Sequence, residues 1–309
     1  MASVDIQGSS VKLSVPSELG HGAVDTASIA LQGATVYSYV KSDLERLFLS
    51  SKSGIDGPQA VRGGIPICWP LFGPPPSADH PKLGKMKQHG FARSSKWQLV
   101  DHGTESDFVG ARAVFQLTPN DEIKKVYRPD FVLTYSVTLT PTSLTCHLTV
   151  KAPYVEPVHV EDRVDFQALL HTYLRLPAGT SPSRTTVRPL DGVKFTDKVH
   201  GGQVGRESRE RVHFDGPGGE IDRVYHGASD NLTVAWDEQV TSGTCELTKA
   251  GFPDVVTWNC GKAKASTMAD MEDGGEEHYI CVEPGMCSDF VHLKENSSWD
   301  ASMRLAFHD

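Results

Sequence analysis

The chain has 309 residues, 30 Lys plus Arg against 39 Asp plus Glu, and a formal net charge of −9. That balance argues against a nucleic-acid partner, which needs clustered cations to neutralise phosphates, and a hydrophobic fraction of 39% excludes a disordered acidic chain. No apolar run approaches the roughly 20 residues that span a membrane, and the start Met1-Ala2-Ser3-Val4-Asp5 lacks a signal-peptide pattern, so a cytoplasmic protein with no membrane partner is expected.

Period-2 alternation dominates and predicts short strands at 34–40, 46–50, 97–100 and 108–117. Phe131, Leu133, Tyr135, Val137 and Leu139 share one parity, and Leu144, Cys146, Leu148 and Val150 resume it after Pro141-Thr142-Ser143, which predicts a β-hairpin. Further strands fall at 164–176, 232–236 and 278–283. With 28 Gly and 19 Pro between them, the pattern predicts an all-β protein, a large antiparallel β-sandwich in which each strand has one face to bury. No repeat or linker divides it, so 1–309 is expected as one domain with residues 1–20 peripheral.

Two segments break the pattern. Residues 56–93 are dense in Gly and Pro and too long for a passive connection, and long ordered loops tend to carry function. Residues 194–220 are polar; Arg206, Arg209 and Arg211 alternate with Glu207 and Glu210, which predicts a solvated excursion over the surface. The six cysteines are scattered without zinc-ligand spacing and are expected as free thiols.

The first segment carries Arg62-Gly63-Gly64-Ile65-Pro66 and then Gln88-His89-Gly90-Phe91-Ala92-Arg93. Two readings of the arginines stand here. They clamp one anion, as paired guanidinium groups do, with the glycines letting backbone approach the ligand, or they pair with carboxylates and pin the loop. In 164–176 the even positions are apolar, while Gln167, His171, Tyr173 and Arg175 share the other face, the expected polar outer surface of a sheet. Glu283 ends an apolar run before Pro284-Gly285, which predicts a carboxylate at a sheet rim.

These blocks, with Leu170-His171-Thr172-Tyr173, Ile221-Asp222-Arg223-Val224-Tyr225, Val255-Val256-Thr257-Trp258-Asn259 and Cys281-Val282-Glu283-Pro284-Gly285, occur in order along the chain. Together they resemble the hexose-6-phosphate mutarotases, a branch of the galactose mutarotase or aldose 1-epimerase superfamily. The resemblance implies a galactose mutarotase-like supersandwich that interconverts the α and β anomers of a hexose 6-phosphate. It implies His171 as general acid and Glu283 as general base. It also implies Arg62, Gln88 and Arg93 near the phosphate and sugar, His89 beside them, and Asp222 on a sugar hydroxyl.

Such chemistry takes the C1 hydroxyl proton while protonating the ring oxygen, so it calls for an ionised carboxylate and a protonated imidazole and for no metal or other cofactor. A small-molecule substrate and a monomer are expected, with a small positive pocket on Arg62 and Arg93 in a negative surface. The family pattern departs at Cys260-Gly261 and in a longer segment at 266–277, which bears on one pocket rim. Three rivals remain: a glycoside hydrolase using Asp222 and Glu283, an epimerase of unphosphorylated hexose, and a non-catalytic sugar-binding protein of the same fold.

Overall fold

The computed structural model describes residues 1–105, 109–154, 163–237, 239–241 and 243–309. Its strands form three sheets. Ser3–Gln7, Ser10–Pro16, Val24–Ala30, Val36–Lys41 and Leu44–Glu45 run as a five-stranded meander in chain order. A nine-stranded sheet holds Val132–Thr140, Ser143–Ala152 and Ser297–His308 at its centre. An eight-stranded sheet is built from Lys194–Asp197, Gln203–Arg206, Glu220–His226, Asp254–Cys260, Tyr279–Leu293, Val164–Leu170, Ile67–Cys68 and Tyr173–Arg175. Among the described residues, no helix is long and apolar enough to cross a membrane.

Alternation translates into burial where both strands were legible. The hairpin expected around 141–143 forms with Leu139 opposite Leu144, and its one-parity residues from Leu133 to Val150 are fully buried. The strand expected at 108–117 runs Gly110–Leu117; Phe108 lies outside the described residues. Segment 46–50 forms no ladder, only the single bridges Leu47 to Leu174 and Leu49 to Gly63. Val11, Leu13 and Val15, expected at the periphery, are fully buried in the main hydrophobic cluster.

That cluster lies between the larger sheets. The Phe166 ring meets Trp299 at 5.3 Å, and Thr172 Oγ1 lies 3.3 Å from Met303 Sδ. A second cluster covers the opposite face of the eight-stranded sheet. Ile280 and Val282 belong to the first cluster, whereas Tyr279 and Cys281 join Phe48, Leu169, Tyr173 and Trp258 in the second. The expected polar outer face at 164–176 is therefore a second buried layer: Gln167, His171 and Tyr173 are all buried.

The polar excursion is corrected in part: Arg206, Glu210 and Arg211 are exposed as expected, but the stretch is built into the sheet. Lys194–Asp197 and Gln203–Arg206 pair as a hairpin on Glu220–His226, and Glu207 is only 5% exposed. Its carboxylate accepts from Arg209 Nε at 2.9 Å, Tyr225 OH at 2.9 Å and Arg223 Nη1 at 3.3 Å. Burial alone would raise this carboxyl; the hydrogen bonds from Arg209 and Tyr225 outweigh it and hold the pKa at about 2. A depressed carboxyl contributes stability above its ordinary value near 4.5, lost as pH falls through 2. In chemical unfolding against pH, Glu207→Gln should lose about 3 kcal/mol at neutral pH and much less at pH 2.

Candidate active site

The strand carrying His171 is interrupted. Leu169 pairs with Gly285 and Tyr173 with Cys281. One register runs through both pairings, so His171 falls directly opposite Glu283. The interruption also accounts for Pro284: it sits in the middle of Tyr279–Leu293 with Val255 on one side, and on the other the same register puts it opposite Leu170, the last residue before the ladder breaks, where no N–H is called for. Glu283 is consequently not at a sheet rim. It is mid-strand and 1% exposed.

All seven residues singled out in the sequence line one cavity of about 170 Å³: Arg62, Gln88, His89, Arg93, His171, Asp222 and Glu283. The cavity adds residues that the sequence gave no site role, Lys198, Lys264 and Met268, and with them Phe72 and Trp258. Lys198 lies in the stretch expected to be solvated. The Gly201-Gly202 turn and the pairing with Glu220–His226 deliver it beside Asp222, where its Nζ is 3.5 Å from Oδ1 and 4.3 Å from the Phe72 ring centre. Lys264 and Met268 come from the departure at Cys260-Gly261. Gly261 has φ +63°, and a Cβ there would lie 2.6 Å from the Glu220 nitrogen, so glycine allows the chain to turn into Gly261–Ala265 and over the rim.

The imidazole of His171 is pinned. It stacks on Tyr173 at 4.7 Å with 9° between planes and meets the Trp258 edge at 5.4 Å. His171 Nδ1 lies 3.3 Å from Glu283 Oε1, yet neither atom makes an aligned hydrogen bond, and Glu283 Oε2 is also unpartnered. Two polar groups are thus held buried and unsatisfied at the cavity floor, an arrangement costing about 1–3 kcal/mol per group.

Burial opposes charge on both. It pushes the Glu283 carboxyl well above its ordinary range, with Asp222 adding to the shift and Lys198 and Arg93 opposing it. It pushes His171 well below its ordinary value, helped by His89, Arg93, Arg62 and Lys198. Burial therefore favours a neutral pair with the proton on the carboxyl, rather than the ionised base and protonated acid expected. The proton count is the same in both forms. Transfer across 3.3 Å interconverts them.

The two arginines are not equivalent. Arg62 Nε donates to Asp270 Oδ2 at 3.2 Å, Nη2 lies 3.1 Å from the same oxygen as an ion pair, and Nη1 donates to Tyr173 OH at 3.2 Å. Arg93 donates Nη2 to the Gln88 carbonyl at 2.9 Å and has no carboxylate partner among the described residues. One arginine is thus pinned and the other is free to meet an anion. Gly63 and Gly64 serve the scaffold rather than a ligand: a Cβ on them would lie 2.3 Å from the Phe48 carbonyl and 2.2 Å from that of Val36. His89 accepts the Gly73 N–H on Nδ1 at 3.2 Å. Burial, Arg93, Lys198 and Arg62 lower its pKa, so it is a neutral neighbour.

The ligand atoms of His171, Cys281 and Glu283 lie within 4.8 Å of one another, a donor set of metal-binding type. Arg62, Arg93, Lys198 and Lys264 line the same cavity, and that field favours an anion over a cation.

An antiparallel β-sandwich with a histidine and a carboxylate facing each other under a sugar-sized, cation-lined cavity defines the galactose mutarotase-like class. The sequence model of aldose 1-epimerase matches residues 17–306, and the chain belongs to that family. A candidate glucose-6-phosphate 1-epimerase from Escherichia coli K12 is 31% identical over 85% of this chain and 80% of its own. One from Cenchrus ciliaris is 29% identical over 91% of this chain and 80% of its own. Among solved structures, a candidate mutarotase from Salmonella typhimurium superimposes with a TM-score of 0.80 at 26% identity, covering 100% of this chain and 94% of its own.

Proposed function

We propose that the protein interconverts the α and β anomers of a hexose 6-phosphate. The observation that carries this reading is the His171–Glu283 pair, facing across an interrupted ladder, unpartnered and buried under a cavity lined by four cations. Ring opening needs one group to take the C1 hydroxyl proton and another to protonate the ring oxygen. Ring closure on the other face of the aldehyde reverses both transfers.

In this reading His171 is the acid and Glu283 the base once their shared proton sits on the imidazole. Sugar hydroxyls donating to the two unpartnered Glu283 oxygens favour that form. Asp222, beside Lys198, accepts from a further hydroxyl. Gln88 and His89 shape the wall, and the sixth carbon carries its phosphate toward Arg93 and Arg62, which line the same cavity. The same reading takes the protein as a cytoplasmic monomer.

The active pair holds one proton. Activity is lost when a second proton reaches His171, whose pKa is lowered, or when the only proton leaves Glu283, whose pKa is raised. The acid limb of kcat/KM against pH should therefore fall well below the ordinary histidine value of 6.5; a limb centred at 6.5 would contradict the assignment.

The substrate is tested by comparing enzyme-catalysed anomer exchange of glucose 6-phosphate and glucose by NMR at equal concentration. A ratio of kcat/KM near unity would favour the epimerase of unphosphorylated hexose instead.

A further inference from the structure

We propose that Asp270 is a tethered counter-ion, holding Arg62 while the cavity is empty and competing there with the phosphate group of the substrate. The proposal rests on the reading above only for the identity of the incoming anion.

Two features support it. The first is how the guanidinium is used. Asp270 Oδ2 accepts from Nε and lies within ion-pair distance of Nη2, and Tyr173 OH accepts from Nη1. Of five N–H groups, one on Nη1 and two on Nη2 make no hydrogen bond among the described residues and are left for a ligand. An anion reaching Arg62 must approach a carboxylate of like charge, or displace it.

The second is the mounting of Asp270. Its neighbours are fixed: Met271 is 2% exposed in the second hydrophobic cluster, and the Glu272 N–H donates to Ser50 Oγ at 2.9 Å. The Glu272 carboxylate in turn accepts from the Ser51 N–H at 2.6 Å. The Asp270 side chain itself is 38% exposed. Its backbone is anchored while its carboxylate has open solvent to turn into, as a displaceable group requires. The segment that carries it also contributes Met268 to the cavity wall, and it is the segment where the sequence departs from the family pattern. Asp270 is therefore a specificity-tuning residue, one that lowers affinity for phosphorylated sugar without touching the reacting atoms.

The test is calorimetric titration of the full chain with inorganic phosphate, run beside KM measurements on glucose 6-phosphate and glucose. Asp270→Asn, nearly isosteric and uncharged, should lower both the phosphate Kd and the glucose 6-phosphate KM about fivefold. The gap should narrow at high salt, and KM for glucose should not move. Asp270→Ala should do the same if charge is what matters. Unchanged or weaker phosphate binding in both folded variants would overturn the proposal and make Asp270 a support for Arg62. Tighter phosphate binding in a protein that does not accelerate anomer exchange would leave Asp270 standing and remove the functional reading instead.

Discussion

Glu283→Gln should lower kcat for anomer exchange by about 10²–10⁴, the usual worth of a positioned proton transfer, and at the same time raise the melting temperature. The first effect follows from removing one member of the pair while leaving its shape. The second follows from burial: a carboxyl whose folded pKa is raised contributes stability below its ordinary value near 4.5 and loses it as pH rises through the folded value. An amide carries no such penalty. Thermal unfolding should therefore show a higher melting temperature than wild type at pH 8 and little difference at pH 4. A variant that is inactive and less stable at pH 8 would mean that the carboxylate is paired in the folded protein after all. His171→Asn should cause a comparable loss of kcat, since it leaves the proton of the pair without a second site.

Arg93→Ala should raise KM for glucose 6-phosphate about 10- to 100-fold, the range of a charge-assisted hydrogen bond, with a smaller change in kcat. KM for glucose should be unaffected. Arg62→Ala should differ in kind. It releases Asp270 and Tyr173 OH together, and Tyr173 is the face on which His171 stacks. Its cost should therefore appear in kcat as well as in KM. Equal and purely KM-centred effects from the two arginines would restore the symmetric clamp expected from the sequence and contradict the division drawn here.

Where a strand's alternation met the core directly, the sequence was a sufficient guide: Leu133 to Val150 read as a hairpin and fold as one. The cavity residues were also within reach, because motif blocks name residue types that the fold then gathers. What was not legible depends on a second layer. Period-2 reasoning assumes one solvated face, so it put Gln167, His171 and Tyr173 outside, whereas loop residues such as Phe48 and Met271 cover that face. It read Pro284 as a strand end, since a local pattern cannot show that the partner strand breaks off there. Lys198 was hidden by composition alone; only long-range pairing with the Asp222 strand makes it part of the cavity. Asp270 belongs to the same class, reaching Arg62 from 208 residues away in sequence.

In the proposed mechanism a proton shared by His171 and Glu283 drives sugar anomerisation in a phosphate-binding cavity. That mechanism is tested most directly by polarimetry of freshly dissolved α-glucose 6-phosphate with wild-type protein, with Glu283→Gln, and with none. Wild type should bring the solution to its equilibrium rotation far faster than the spontaneous rate, and the variant should add little to that rate. Wild-type relaxation at the spontaneous rate, or equal acceleration by both proteins, would contradict the mechanism.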